Sequence, residues 1–387
     1  MNIEFATDHD DDAELPVYAR LDLEIDVGCG TRVRSTDGRD FLDLYGGHAT
    51  ALLGQAHPRL LDALTRQAGQ LFFQTNLVDL EIRRRAARAL VDFAPAGLER
   101  VFFVNSGAEA NENALRLAFR LTGRHKAVAL VNGFHGRTAA AAAVTWGARD
   151  KWYGFPRSPF DVVFVDPDDG AALEAAVDDD TACVILEPIQ GLAGARDLDL
   201  EFLRTARRVT LDRGAMFIAD EVQCGMGRSG EPFAISRAGV VPDLMTTAKG
   251  LAGGFPAGAL FCTLDISERI ATGDLGTTFG GGPMAAALIA TVLDVIREDD
   301  LLAQAGRFEV MVRDRCITGP VTAVQGAGCL LGLRTKGPAR DVLAGLRERG
   351  VLAGGSSDPH IMRLMPALIA GEAEVLALSD ALREIGS

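Results

Sequence analysis

The chain has 387 residues, 48% of them apolar and 24% charged, with a formal net charge of −14. That length exceeds one small core and suits a large domain plus a smaller one. The acid excess disfavours a nucleic-acid surface, and no stretch is long, apolar and uncharged enough to span a bilayer.

Six scattered cysteines without a CxxC pair argue against a zinc site or a disulfide framework. No metal is expected, and a reducing cytoplasm is the plain reading. The acidic start, MNIEFATDHDDDAELP, lacks both the basic flank and the apolar run of a signal peptide. TRVRSTDGRDFLDL, residues 31–44, reads as a hairpin. From about residue 100, short apolar runs alternate with amphipathic stretches. VFFV (101–104), KAVALV (126–131), DVVFV (161–165), CVILEP (183–188), AMFIADE (215–221) and LMTTAK (244–249) are separated by helical periodicity. That pattern predicts an α/β fold, a mostly parallel sheet with helices on both faces. After Pro283 come one long helical pattern, a strand-like CLLGLRT and a closing helix, which read as a smaller α+β domain. The expected division is 1–47 packing with the small domain, 48–285 as the large domain, and 286–387 as the small one.

Ligands of an open parallel sheet sit beyond the carboxyl ends of its strands, and the suggestive residues fall there. In VNSGAEANE, Ser106 and Glu109 have the spacing of a capping box, so a helix starts there and offers backbone N–H groups to a phosphate. An ordinary capped helix has the same form. Asp220 ends an apolar run, where a carboxylate needs a cation; an arginine salt bridge and a functional role both satisfy that. Gly225-Met-Gly-Arg-Ser-Gly230 fits GxGxxG, but no helix follows it, so it does not read as a dinucleotide loop. Only four of the 39 basic residues are lysines: Lys126, Lys151, Lys249 and Lys336. Three have polar or turn-rich surroundings and read as solvated. Lys249 follows an apolar run and precedes GLAGG, where desolvation makes a lysine a nucleophile, as arginine never is. A phosphate anchor, a strand-end acid and a strand-end lysine are together what pyridoxal phosphate requires: an anchor, a partner for its ring nitrogen and a Schiff-base amine.

NSGAEANENALRLA, GFHGRT, ILEPIQG, IADEVQCGMGRSG, TTAKGLAGG, GTTFGGGP and RLMP resemble, in order, the signature segments of class III pyridoxal-phosphate aminotransferases, nearest the acetylornithine and ornithine group. The resemblance runs from about residue 18 to residue 368. It implies fold-type I, with a seven-stranded sheet, a small domain built from both chain ends, and active sites shared across a homodimer. Ser106, Gly107 and Ala108 would bind the phosphate, and Thr278 would reach the phosphate in the neighbouring subunit. Phe134 would stack on the ring and Asp220 would pair with its nitrogen. Val222 and Gln223 would lie beside the ring, with Lys249 as the Schiff-base residue. Arg137 and Arg363 would hold substrate carboxylates, with Tyr18 near one of them. Glu187 would support the network under the ring or pair with an arginine. His135, counted with the cofactor-binding residues, is expected to shape the loop behind the stacking aromatic and not to transfer protons; His48, where the family has an aliphatic residue, is read as structural or as lining the pocket.

Two departures bear on substrate. Leu192 stands where a glutamate is expected after EPIQ, and Gly282 stands where an asparagine is expected in TFGGNP. The activity implied is transfer of the terminal amine of an N-acylornithine-like amino acid to 2-oxoglutarate, giving an aldehyde and glutamate. An aminomutase or racemase of the same fold is the alternative, and a non-catalytic binding protein is opposed by the intact Lys249 and Asp220. No nucleic-acid or membrane partner is expected.

Overall fold

The structure, a computed structural model, describes residues 13–385. Residues 1–12, which hold most of the acidic start and open the expected N-terminal segment, lie outside the described residues.

A seven-stranded sheet organises the chain. Its order is Arg100–Val104, Gly258–Cys262, Leu244–Thr247, Met216–Asp220, Thr181–Leu186, Lys126–Leu130 and Asp161–Val165. Six strands run parallel; Gly258–Cys262 is antiparallel to both of its neighbours. The expected runs all become strands, and the reversed strand, GALFC, is the addition. Strands such as TACVIL and MFIAD are buried at every position, which is why they read as unbroken apolar runs and not as alternation.

The two faces carry different helices. Ala114, Leu115 and Ala118 of helix Gly107–Thr122 pack with Cys183, Ile185 and Ile218 on one face. Leu203, Ala206 and Val209 of helix Leu200–Arg213 pack with Val184, Phe217 and Ala219 on the other. Neighbouring residues of one strand thus feed opposite cores.

The ends of the chain form smaller sheets. Ile25–Cys29, Arg32–Ser35 and Asp40–Asp43 make an antiparallel meander that includes the expected hairpin, and Asp40–Asp43 pairs in parallel with Val351–Leu352. Val321–Ala327, Leu330–Thr335 and Ile361–Leu364 form a three-stranded antiparallel sheet. Helix Pro283–Glu298 packs against helices Pro58–Gln70 and Glu81–Phe93. Among the described residues no helix is long and apolar enough to cross a membrane.

Candidate active site

Because the strands run parallel, their carboxyl ends open onto one edge. Ser106, Phe134, Glu187, Asp220 and Lys249 each follow or close a different strand there. The Ser106 side chain accepts from Glu109 N at 3.2 Å and caps the helix that begins at Gly107. Glu109 returns its carboxylate to Asn105 N at 2.5 Å, one residue before the cap. The first N–H groups of the helix have no intrahelical acceptor, and the positive dipole end lies with them. A Cβ on Gly107 would sit 2.6 Å from Val222 Cγ1, so only glycine lets Val222 approach this terminus.

Asp220 is the centre of a dry network. Its Oδ2 accepts from Asn111 Nδ2 and from His135 Nδ1, each at 2.7 Å, and its Oδ1 accepts from Val222 N at 3.0 Å. Asn111 also donates to His135 O and accepts from Thr246 Oγ1, both at 2.7 Å. No Lys or Arg forms an ion pair with Asp220 among the described residues. A buried carboxylate with three hydrogen bonds and no permanent cation is suited to a cationic ligand group. His135, which lies in the GFHGRT loop, is thereby tied to the acid itself.

Glu187 lies below, buried, accepting from Phe134 N at 2.9 Å and Gly191 N at 3.0 Å. Burial, then the neighbouring Asp220 charge, push Glu187 up to about 7. It supports the Phe134 loop and pairs with no arginine among the described residues.

Lys249 is half-buried, with φ +46°. Its Nζ has no hydrogen bond or ion pair among the described residues. Burial lowers its pKa against the opposing charges of Asp220 and Glu187, and Arg363 adds to the lowering. A desolvated, unpartnered amine beside two carboxylates is a nucleophile held in reserve.

Arg363 comes from the strand Ile361–Leu364 and is 4% exposed. Its Nε donates to Gly355 O at 2.6 Å; its Nη1 donates to Gly191 O at 3.1 Å and Gln223 Oε1 at 3.2 Å. All three acceptors are neutral. Leu192, in the turn between the short strands Ile189–Gln190 and Arg196–Asp197, is 39% exposed and puts no carboxylate there. On the same side, Gly46, Gly47, His48 and Ala49 all have φ between +56° and +70°, a left-handed turn. Asp43 Oδ1 pins it by accepting from Tyr45 N and Gly46 N. The Tyr45 hydroxyl bonds His48 Nε2. Partial burial and the charges of Arg363 and Lys249 lower the His48 pKa, so this imidazole stays neutral near neutral pH.

Three expected ligands are exposed in the single chain. Tyr18 is 76% exposed. Arg137 is exposed, with its guanidinium 4.8 Å from the centre of the Trp152 ring. Thr278 is exposed next to Phe279. Lys126 corrects a smaller expectation: it is not solvated, but pairs with Asp178 at 2.6 Å and donates to Ala176 O. Sequence reasoning missed Asn111 and Tyr45. A signal existed for Asn111, a polar residue on the buried stripe with Ala114, Leu115 and Ala118.

The residues fit pyridoxal phosphate: a free helix terminus for the phosphate, a buried acid lacking a cation for the ring nitrogen, and an unpartnered amine. The chain matches the family model for class III aminotransferases over residues 17–385. It is 41% identical to the acetylornithine aminotransferase of Mycobacterium tuberculosis, over 95% of this chain and 92% of that protein. It is 39% identical to the succinylornithine transaminase/acetylornithine aminotransferase of Pseudomonas aeruginosa, over 93% of this chain and 92% of that one. The solved ornithine aminotransferase of Toxoplasma gondii, described with PLP at its active site in partial occupancy, superposes with a TM-score of 0.88 and 27% identity, covering 96% of this chain and 91% of that chain. A strand-end lysine and acid facing an open helix terminus on a fold-type I sheet, together with these similarities, place the chain in the class III aminotransferases, as a pyridoxal-phosphate-dependent transaminase.

Proposed function

We propose that this transaminase moves the terminal amine of an N-acylornithine-like amino acid to 2-oxoglutarate, giving an aldehyde and glutamate. The observation that carries the reading is the pairing of unpartnered Lys249 with a buried Arg363 whose acceptors are all neutral. The site thus has an amine for the chemistry and a cation left for a substrate carboxylate. The names of the Mycobacterium tuberculosis and Pseudomonas aeruginosa relatives support an acylated ornithine as donor.

Bound pyridoxal phosphate supplies an aldehyde for amines and a ring that draws electron density from the substrate carbon. Ser106, Gly107 and Ala108 would hold its phosphate at the helix terminus, and Phe134 would cover the ring. Asp220, aligned by His135 and Asn111, would keep the proton on the ring nitrogen. Val222 packs against the phosphate anchor, Gln223 orients Arg363, and Glu187 fixes the Phe134 loop. Lys249 would hold the cofactor through its amine, and as a desolvated base it would take and return the proton at the substrate's reacting carbon. Arg363 holds a carboxylate, with Arg137 and Tyr18 as the second set.

The working form in this reading is a cytoplasmic homodimer. Leu77 is 93%, Phe72 70% and Phe279 65% exposed, an apolar load that a second copy would cover. Asn76 ties these two loops together by donating to Thr277 O and Gly280 O. A partner seated there brings its own Thr278 to this site. The division at about residues 47 and 285 belongs to the same reading, supported by the pairing of Asp40–Asp43 with Val351–Leu352.

The test is a set of amino donors (acetylornithine, succinylornithine, ornithine and a plain monoamine) offered with 2-oxoglutarate while glutamate is followed. Fastest glutamate formation with an acylated ornithine is expected. Donor conversion that ignores 2-oxoglutarate would replace this reading with the mutase or racemase one.

A further inference from the structure

The GMGRSG stretch does not serve a dinucleotide, yet it contains the bulkiest fully buried side chain, Arg228. Its Nη1 donates to Cys329 O at 3.0 Å and Pro366 O at 2.7 Å; its Nη2 donates to Ala49 O at 3.1 Å. No carboxylate forms an ion pair with it among the described residues. Burial lowers its pKa to about 10, so it remains charged at neutral pH. A dry cation held only by carbonyls is a costly arrangement, and the three carbonyls show what it connects.

Ala49 ends the left-handed turn that carries His48. Cys329 lies in the turn between Val321–Ala327 and Leu330–Thr335, and Pro366 comes three residues after Arg363. Cys329 N donates back to Arg228 O at 2.7 Å. Any Cβ on Gly328 would collide with that same oxygen, so the glycine allows the close approach. Met365 N also donates to Leu44 O at 2.7 Å, joining the segment after Arg363 to the one before the turn. Arg228 itself follows Asp220 by eight residues, through a turn in which Gly225 N donates to Glu221 O at 3.1 Å and Arg228 N donates to Gly225 O at 3.3 Å.

We propose that Arg228 is a positioning residue that sets the Arg363–His48 side of the site at a fixed distance from the Lys249–Asp220 side. A carboxylate held by Arg363 is then delivered in register with Lys249. This rests on the reading of Arg363 as a carboxylate ligand.

Arg228→Lys keeps the charge, but one nitrogen cannot reproduce a planar fork to three carbonyls. In the holoenzyme, with glutarate as an unreactive dicarboxylate probe, the variant should bind glutarate about 10- to 100-fold more weakly, as misplacement by about an ångström does. The visible spectrum of the bound cofactor and its pH titration should not move. Hydrogen exchange should quicken at residues 46–52 and 361–368 but not at 244–252. An unchanged glutarate Kd, even with lower thermal stability, would make Arg228 only a packing element and overturn the proposal. So would equal losses of glutarate and cofactor. If the variant does not fold, the wild-type holoenzyme decides: glutarate should protect residues 46–52 together with 361–368, and no protection at 46–52 overturns the inference. Arg363→Ala separates the two readings. If it leaves glutarate binding intact, the carboxylate assignment fails; if it weakens binding while Arg228→Lys does not, only the present proposal fails.

Discussion

His135 Nδ1 donates to Asp220 Oδ2 at 2.7 Å, and neither side chain is more than 2% exposed. The carboxylate is oriented by His135, Asn111 and Val222 before any ligand arrives. Asp220→Asn keeps the shape but puts an amide N–H among donors that need acceptors. Turnover should fall by about 10²-fold or more, the scale of losing one preorganised polar partner, while the cofactor stays anchored through its phosphate. Steady-state kcat checks this, and an unchanged value rejects the role given to Asp220.

Lys249→Ala should abolish covalent attachment of the cofactor while leaving the fold and weak phosphate-anchored binding. Borohydride reduction of the wild-type holoenzyme followed by peptide mapping should find the pyridoxyl group on Lys249. With only four lysines in the chain, the map is unambiguous. A label on Lys126, Lys151 or Lys336, or near wild-type turnover by Lys249→Ala, removes the assignment.

Leu192 leaves Arg363 without a competing carboxylate. Arg363→Ala should therefore weaken the acylated donor and 2-oxoglutarate together, by about 2–5 kcal/mol if the ligand carboxylate is left buried. Leu192→Glu should create a competitor for the guanidinium and penalise at least one carboxylate ligand more than a monoamine. Kinetics on both variants with three substrates decide it. Equal effects on all three make Arg363 structural and Leu192 mere packing.

Glu221 gives the pH prediction. Its buried carboxylate accepts from Ala234 N, Ile235 N and Cys224 Sγ, and burial still pushes it up to about 7. A folded pKa above the unfolded one means that the folded chain binds the proton more tightly. The stabilisation is complete below the ordinary glutamate pKa and is lost as pH rises toward about 7. Apo protein should melt at lower temperature at pH 8 than at pH 5, and Glu221→Gln should flatten that difference. An unchanged slope in the variant rules out Glu221 as a source.

The parallel strands were legible because burial on both faces leaves uninterrupted apolar runs, and the motif order located the strand-end chemistry on one edge. GALFC was not, since GLAGGFPA ahead of it reads as turn, and its reversed direction is set by Arg100–Val104 and Leu244–Thr247 on either side. His135 and Asp220 are 85 residues apart, so no local pattern announces their bond. The left-handed turn at GGHA was hidden for another reason: His48 and Ala49 adopt it against their own preference, held by contacts from Asp43 and Arg228.

Lys249 shares that conflict. A residue with a Cβ enters its φ +46° conformation at a cost of roughly 1–2 kcal/mol, and burial withdraws its amine from water as well. Glycine would remove both penalties, and with them the amine to which the proposed reaction is assigned. Selection for catalysis and selection for robustness thus pull in opposite directions at this one codon. A mutant library ranked only on heat resistance would drift away from lysine here, and would yield a sturdier protein stripped of the amine that the proposed chemistry uses.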